Sequence, residues 1–211
     1  MKKLQFTALL LAVALMLGTL PACDDKDNET PKTGDEQTDP TPEPGLVAID
    51  IDFAQGPQIA TPALPAASAE SLSGRTKYTI AGYAFAVYAD KEKNGKYFWI
   101  DNSQFNASTP EPNKGLYFSK EGAYVELPAL PGKALIRAVY TSTTSVNAVI
   151  DLNLTDTNGT QIDQTITPAE DGLTQTFAPV TPEAGKCYRL TIANSKNAQM
   201  ARLTLTYDDV Q

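Results

Sequence analysis

The chain has 211 residues, 25 acidic against 17 basic side chains, a formal net charge of −8 and no histidine. An acidic balance without clustered lysine and arginine argues against nucleic acid as a partner. The missing imidazole removes histidine triads, histidine metal sites and the usual near-neutral proton shuttle.

At the N-terminus Lys2 and Lys3 precede an unbroken apolar run, Leu9 to Leu17, and small residues follow before Cys23. The run is far short of the ~20 apolar residues a spanning helix needs, so 1–22 reads as a signal peptide. Leu20-Pro21-Ala22-Cys23 resembles the lipobox of bacterial lipoproteins. The resemblance implies lipidation of Cys23, outer-membrane anchoring through lipid alone and a mature chain beginning there. Cys187 is then the one thiol left, so no intrachain disulfide forms.

Residues 24–45 carry eight acids against Lys26 and Lys32 and contain no aliphatic side chain larger than proline and no aromatic. Nothing there offsets the entropy of ordering, so 23–45 is expected to be the lipidated cysteine and a disordered acidic tether. Such an acidic run after the lipidated cysteine also resembles the export signal of lipoproteins displayed on the cell surface; a plain periplasmic tether is the alternative.

The remaining residues, 46–211, are the size of a single domain with a core of its own. Val47, Ile49, Ile51 and Phe53 alternate with Ala48, Asp50 and Asp52, which predicts a half-buried strand. Residues 54–75, with Pro57, Pro62, Pro65 and Gly74, read as a long loop. Further on, Tyr83-Phe85-Val87, Ala123-Val125-Leu127, Ala148-Ile150-Leu152-Leu154, Tyr188-Leu190-Ile192 and Ala201-Leu203-Leu205-Tyr207 each form one apolar face. Turn signals such as Asn94-Gly95, Pro131-Gly132, Asp171-Gly172 and Ala184-Gly185 separate them. Short alternating strands between turns predict an all-β fold, antiparallel sheets packed as a β-sandwich, with about nine or ten strands as in a jelly roll.

Residues 122–133, GAYVELPALPGK, resemble the segment of galactose-binding-like jelly rolls in which a strand ends in Leu-Pro and a Gly-Lys turn leads onward. Tyr188-Arg189-Leu190 and residues 198–207, AQMARLTLTY, are similar to the closing strands of that group. With the lipobox and tether, the chain resembles surface lipoproteins that accompany glycan-uptake systems. The likeness spans about residues 46–208 and implies carbohydrate binding without catalysis. The rival is a structural or adhesive surface protein that binds another protein through a sheet face.

Eleven aromatic residues fall within 78–124. Aromatic faces stack on the C–H faces of sugar rings, and neighbouring polar groups take the hydroxyls. If Phe98 and Ile100 face the core, Tyr97 and Trp99 turn outward beside Asp101 and Asn102. Those four with Tyr117 form the candidate carbohydrate site. Packing of Trp99 beneath the 54–75 loop is the alternative. Asp156-Thr157-Asn158-Gly159 has the start of a calcium loop but none of its later ligands, so it reads as a hairpin turn, and neither metal nor cofactor is expected. Carboxylate pairs such as Glu121 with Glu126, or Asp101 with Glu126, occur by chance in any acidic domain and do not make a glycosidase. Cys187 falls on the polar side of its strand with no base to activate it.

Overall fold

A computed structural model describes residues 45–67, 72–101, 114–143, 148–156 and 159–209. The signal segment, Cys23, residues 24–44 of the tether and Asn102 lie outside them. Among the described residues there are two 3₁₀ turns, Phe53–Gln55 and Pro57–Ile59, and every other regular element is a strand. These are β1 (Val47–Asp52), β2 (Ala60–Thr61), β3 (Gly74–Ile80), β4 (Tyr83–Ala89), β5 (Tyr97–Asp101), β6 (Lys114–Ser119) and β7 (Tyr124–Glu126), followed by β8 (Lys133–Ser142), β9 (Ile150–Leu154), β10 (Gln164–Pro168), β11 (Thr174–Pro179), β12 (Tyr188–Ile192) and β13 (Asn197–Asp209). No helix among the described residues is long and apolar enough to cross a membrane.

The strands form two antiparallel sheets. The seven-stranded sheet runs β10-β11-β8-β13-β6-β5, with β1 also paired to β13; the six-stranded sheet runs β2-β3-β4-β7-β12-β9. β13 organises the first. Its start, Asn197 to Met200, pairs with β6, and its continuation, Arg202 to Tyr207, pairs with β1, while β8 runs along its other edge. Register shifts between Met200 and Arg202 and between Thr206 and Tyr207 let one long strand serve all three neighbours. At Gly115 a Cβ would strike the carbonyl oxygen of Met200, so the close approach of β6 to β13 demands glycine.

The inner faces of both sheets meet in one core. Ile49, Ile51, Leu116, Phe118, Leu203 and Leu205 come from the larger sheet, and Phe85, Val87, Val125, Leu152 and Leu190 from the smaller. Each fully buried aliphatic side chain contributes roughly 1.5–3 kcal/mol relative to exposure. The alternation read from the sequence holds for these strands, and the sandwich-like all-β arrangement follows from it. Three strands carry no such signal. β8 has consecutive inward residues, Ala134 and Leu135, at a register shift. β10 is polar and exposed, with Ile166 42% exposed at the edge. β2 has two residues inside the segment expected to be pure loop, and it pairs with β3.

The hairpin of β3 and β4 sets the spacing of side chains on the outer face of the smaller sheet. Ala81 and Gly82 form its two-residue turn with φ of 51° and 82°. Positive φ at both positions is the type I′ turn, whose twist matches that of the flanking strands. The turn fixes the register Arg75↔Tyr88, Lys77↔Ala86 and Thr79↔Ala84.

Candidate functional site

β5 shows both apolar faces of a strand and inverts the expected one. Tyr97 is 0% exposed and lies in the core, where its hydroxyl donates to Thr76 Oγ1 at 2.5 Å and accepts from the Tyr78 hydroxyl at 3.4 Å. Trp99 packs against the same core, and its indole Nε1 donates to the Phe53 carbonyl at 2.8 Å. Its backbone N–H donates to the Pro65 carbonyl at 2.8 Å, and Ala66 forms a parallel bridge with it. Trp99 is therefore a packing residue beneath the segment after β1, the alternative reading of the sequence. The assignment of Tyr97 and Trp99 to an outward sugar platform is corrected. Alternation separates two faces but does not say which is inside. Here the face whose polar handles find buried partners is the inner one.

Phe98 stands on the outer face, stacked on Tyr117 with centroids 4.5 Å apart and planes at 20°. Of the expected carbohydrate residues, Tyr117 alone is therefore joined to an outward aromatic pair. Burial holds its phenol above the ordinary tyrosine value. Asp101 lies 3.6 Å from Lys114 Nζ across the β5–β6 ladder. The structure does not bring Tyr97, Trp99 and Tyr117 onto one surface.

The outer face of the six-stranded sheet carries a second constellation. Cross-strand pairing arranges it in two rows across β3, β4, β7, β12 and β9. One row is Arg75, Tyr88, Tyr124, Thr191 and Asp151; the next is Lys77, Ala86, Glu126, Arg189 and Asn153. Neighbouring strands lie ~4.8 Å apart, so each row places five side chains side by side. Tyr88 and Tyr124 stack with centroids 5.0 Å apart and planes at 22°, and the Arg189 guanidinium lies 4.2 Å above the Tyr124 ring. Stacking and cation–π contact together order these three residues. Burial raises both phenols, and at Tyr88 Asp90 and Glu92 add to it.

Alanine at 84 and 86 leaves no side chain over the middle of β4. Arg75 reaches across that gap to Glu126, which is 8% exposed, with Nε 3.3 Å from Oε2 and a second, close contact from Nη2 to Oε1. This fork holds the Arg75 guanidinium above its ordinary pKa. Arg189 Nε lies 3.6 Å from Glu126 Oε2, an ion pair, and has no hydrogen-bond partner. The space over the alanines is a cavity of about 260 Å³ lined by Arg75, Lys77, Ala84, Glu126, Ala129 and Cys187 among others. Cys187 donates its thiol to the Leu127 carbonyl at 3.1 Å, and burial pushes the thiol up from its usual pKa, so it forms wall rather than nucleophile. A second cavity of about 530 Å³ adjoins Tyr88 and includes Ser73, Gly74, Asp90, Lys91 and Glu92.

Among the described residues no group of three or more Cys, Asp or Glu is placed to hold a metal ion. The chain matches no family model, no curated protein and no solved structure. Glu126 entered the sequence reading as one of a chance carboxylate pair. Its arginine partners were not legible, because they come from β3 and β12, 51 residues before it and 63 after.

Proposed function

We propose that this protein is a lipid-anchored, non-catalytic surface protein whose sandwich, a jelly roll of the galactose-binding-like kind, binds carbohydrate as an accessory to glycan capture. The observation that carries the reading is the cavity beside Ala84, lined by Arg75, Lys77 and Glu126, on the same sheet face as the Tyr88–Tyr124 stack. Apolar ring faces beside forked polar groups are what a sugar, apolar on one face and hydroxylated at its rim, requires. At about 260 Å³ the cavity is smaller than the ~300–1,000 Å³ of drug-sized sites, so it suits one ring of a longer chain. The acidic tether and the lipid on Cys23 hold that surface away from the outer membrane.

A polysaccharide panel tests the reading with the full chain and with Tyr88→Ala. The wild type is expected to be retained by at least one polysaccharide. Tyr88→Ala is expected to weaken that retention by about tenfold or more, as loss of a stacking aromatic does. Because Tyr88 is only half-buried, the melting temperature should change little. Absence of retention across the panel refutes carbohydrate binding. The structural or adhesive alternative draws on β10, an exposed edge strand able to pair with another chain.

A further inference from the structure

The side chains about Glu126 carry more positive charge than its one carboxylate neutralises. Arg75, Lys77 and Arg189 surround Glu126, three cations about one anion, within a domain whose residues 46–211 carry 17 acids against 13 bases. Both oxygens of Glu126 are engaged by Arg75. The Arg189 side chain is 16% exposed, and its Nε, 3.6 Å from Oε2, lacks a hydrogen-bond acceptor. Lys77 has no ion pair among the described residues. Arg75 and Lys77 line the cavity with one carboxylate, which leaves one positive charge over there, and Arg189 adds another beyond Glu126.

The hydrogen-bonding inventory is equally one-sided. A guanidinium has five N–H donors, of which Arg75 spends two on Glu126, leaving three; the Lys77 ammonium has three more. Both oxygens of the one carboxylate that lines the cavity already accept from Arg75, which leaves the cavity with more free donors than free acceptor sites. A neutral sugar hydroxyl both donates and accepts, and its donor side must compete with Arg75 and Arg189 for Glu126. An acceptor-only group matches fully, and charge-assisted bonds are about twice as strong as neutral ones. Asp151 on β9 and Asp90 and Glu92 beyond Tyr88 do not line the cavity, where Arg75 and Lys77 face the single carboxylate of Glu126.

We infer that the site selects acidic saccharides, a ring carboxylate or sulfate seating between Lys77 and the unused donors of Arg75, with Arg189 supplying the second positive charge beyond Glu126. This rests on the carbohydrate reading and adds the ligand's charge class to it. Tyr88, the cross-strand neighbour of Arg75, then stands toward the next ring of a longer chain.

Matched pairs of polysaccharides test the inference by affinity electrophoresis of the full chain: polygalacturonate against its methyl ester, dextran sulfate against dextran. The acidic member of at least one pair is expected to bind about tenfold tighter or more than its neutral partner, and to weaken as salt rises. Polygalacturonate alone assigns a carboxylate ligand, and dextran sulfate alone a sulfate. Lys77→Gln, at an exposed position whose loss does not endanger folding, is expected to reduce acidic binding by about tenfold and to narrow the ratio of acidic to neutral binding. Arg189→Gln is expected to act in the same direction. Equal binding of matched members, or acidic binding indifferent to Lys77→Gln, overturns acid selectivity while leaving carbohydrate binding standing. Failure to bind any polysaccharide, here and in the wider panel, overturns both.

Discussion

Trp99 joins two parts of the chain that are far apart in sequence. Its indole caps the Phe53 carbonyl, its backbone pairs with Pro65, and its ring lies against the core. Truncation removes buried aromatic surface and leaves a carbonyl without its donor. Trp99→Ala is expected to destabilise the domain by about 3–5 kcal/mol, read from the shift of a urea midpoint. A variant with wild-type stability would return Trp99 to the surface role that strand alternation first suggested. Arg189 shows the converse, a charged residue held in place by an aromatic ring and a carboxylate rather than by solvent.

At the scale of the element, β13 shows how one strand divides its labour. Leu203 and Leu205 point into the core and are 0% exposed. Arg202 and Thr204 point outward and share Asp50 of β1, the threonine hydroxyl donating at 2.9 Å. The Arg202 guanidinium, through its hydrogen bonds, holds the Asp50 carboxyl below the usual carboxylate range. Leu203→Ala is expected to cost about 2–5 kcal/mol, for lost transfer energy plus the cavity left behind. Thr204→Ala loses one solvent-facing hydrogen bond and is expected to cost about 1 kcal/mol or less. Chemical denaturation of the two variants side by side checks the order, and equal losses would mean that the two faces of β13 are interchanged. The β3–β4 hairpin works in the same manner. Its inward Phe85 and Val87 hold the strand down, while its outward alanines open the cavity.

At the scale of the whole molecule, the core is rich in tyrosines, several of whose hydroxyls are paired internally. Tyr207 donates to the Pro128 carbonyl at 2.7 Å, linking the two sheets, and Tyr78 donates to Tyr97. Burial pushes Tyr140 up to about 12 and raises Tyr78 and Tyr207 above the ordinary value as well. A raised folded-state pKa means that the neutral phenol is favoured in the fold. Its stabilisation is fully present below the unfolded tyrosine value of ~10 and is lost as pH rises beyond it. Absorbance at 295 nm followed with near-ultraviolet circular dichroism should show these phenols ionising together with cooperative unfolding above pH ~10. Their ionisation one by one, with the dichroism intact, would contradict the burial described.

The sequence by itself determined the fold class and most inward faces, because period-two alternation of apolar residues follows directly from strand geometry. It also shows an acidic segment without aliphatic or aromatic side chains ahead of the first strand. Tertiary structure alone decided which face of β5 turns inward, since Tyr97 with Trp99 and Phe98 with Ile100 are both apolar enough to be buried. The choice depended on acceptors elsewhere in the chain, Thr76 Oγ1 and the Phe53 carbonyl. Tertiary structure alone also assembled the candidate site. Arg75, Lys77, Glu126 and Arg189 lie on three strands and are ordinary singly, and no local pattern encodes cross-strand register. Their juxtaposition depends on β4 contributing alanines between β3 and β7, which lets Arg75 reach Glu126.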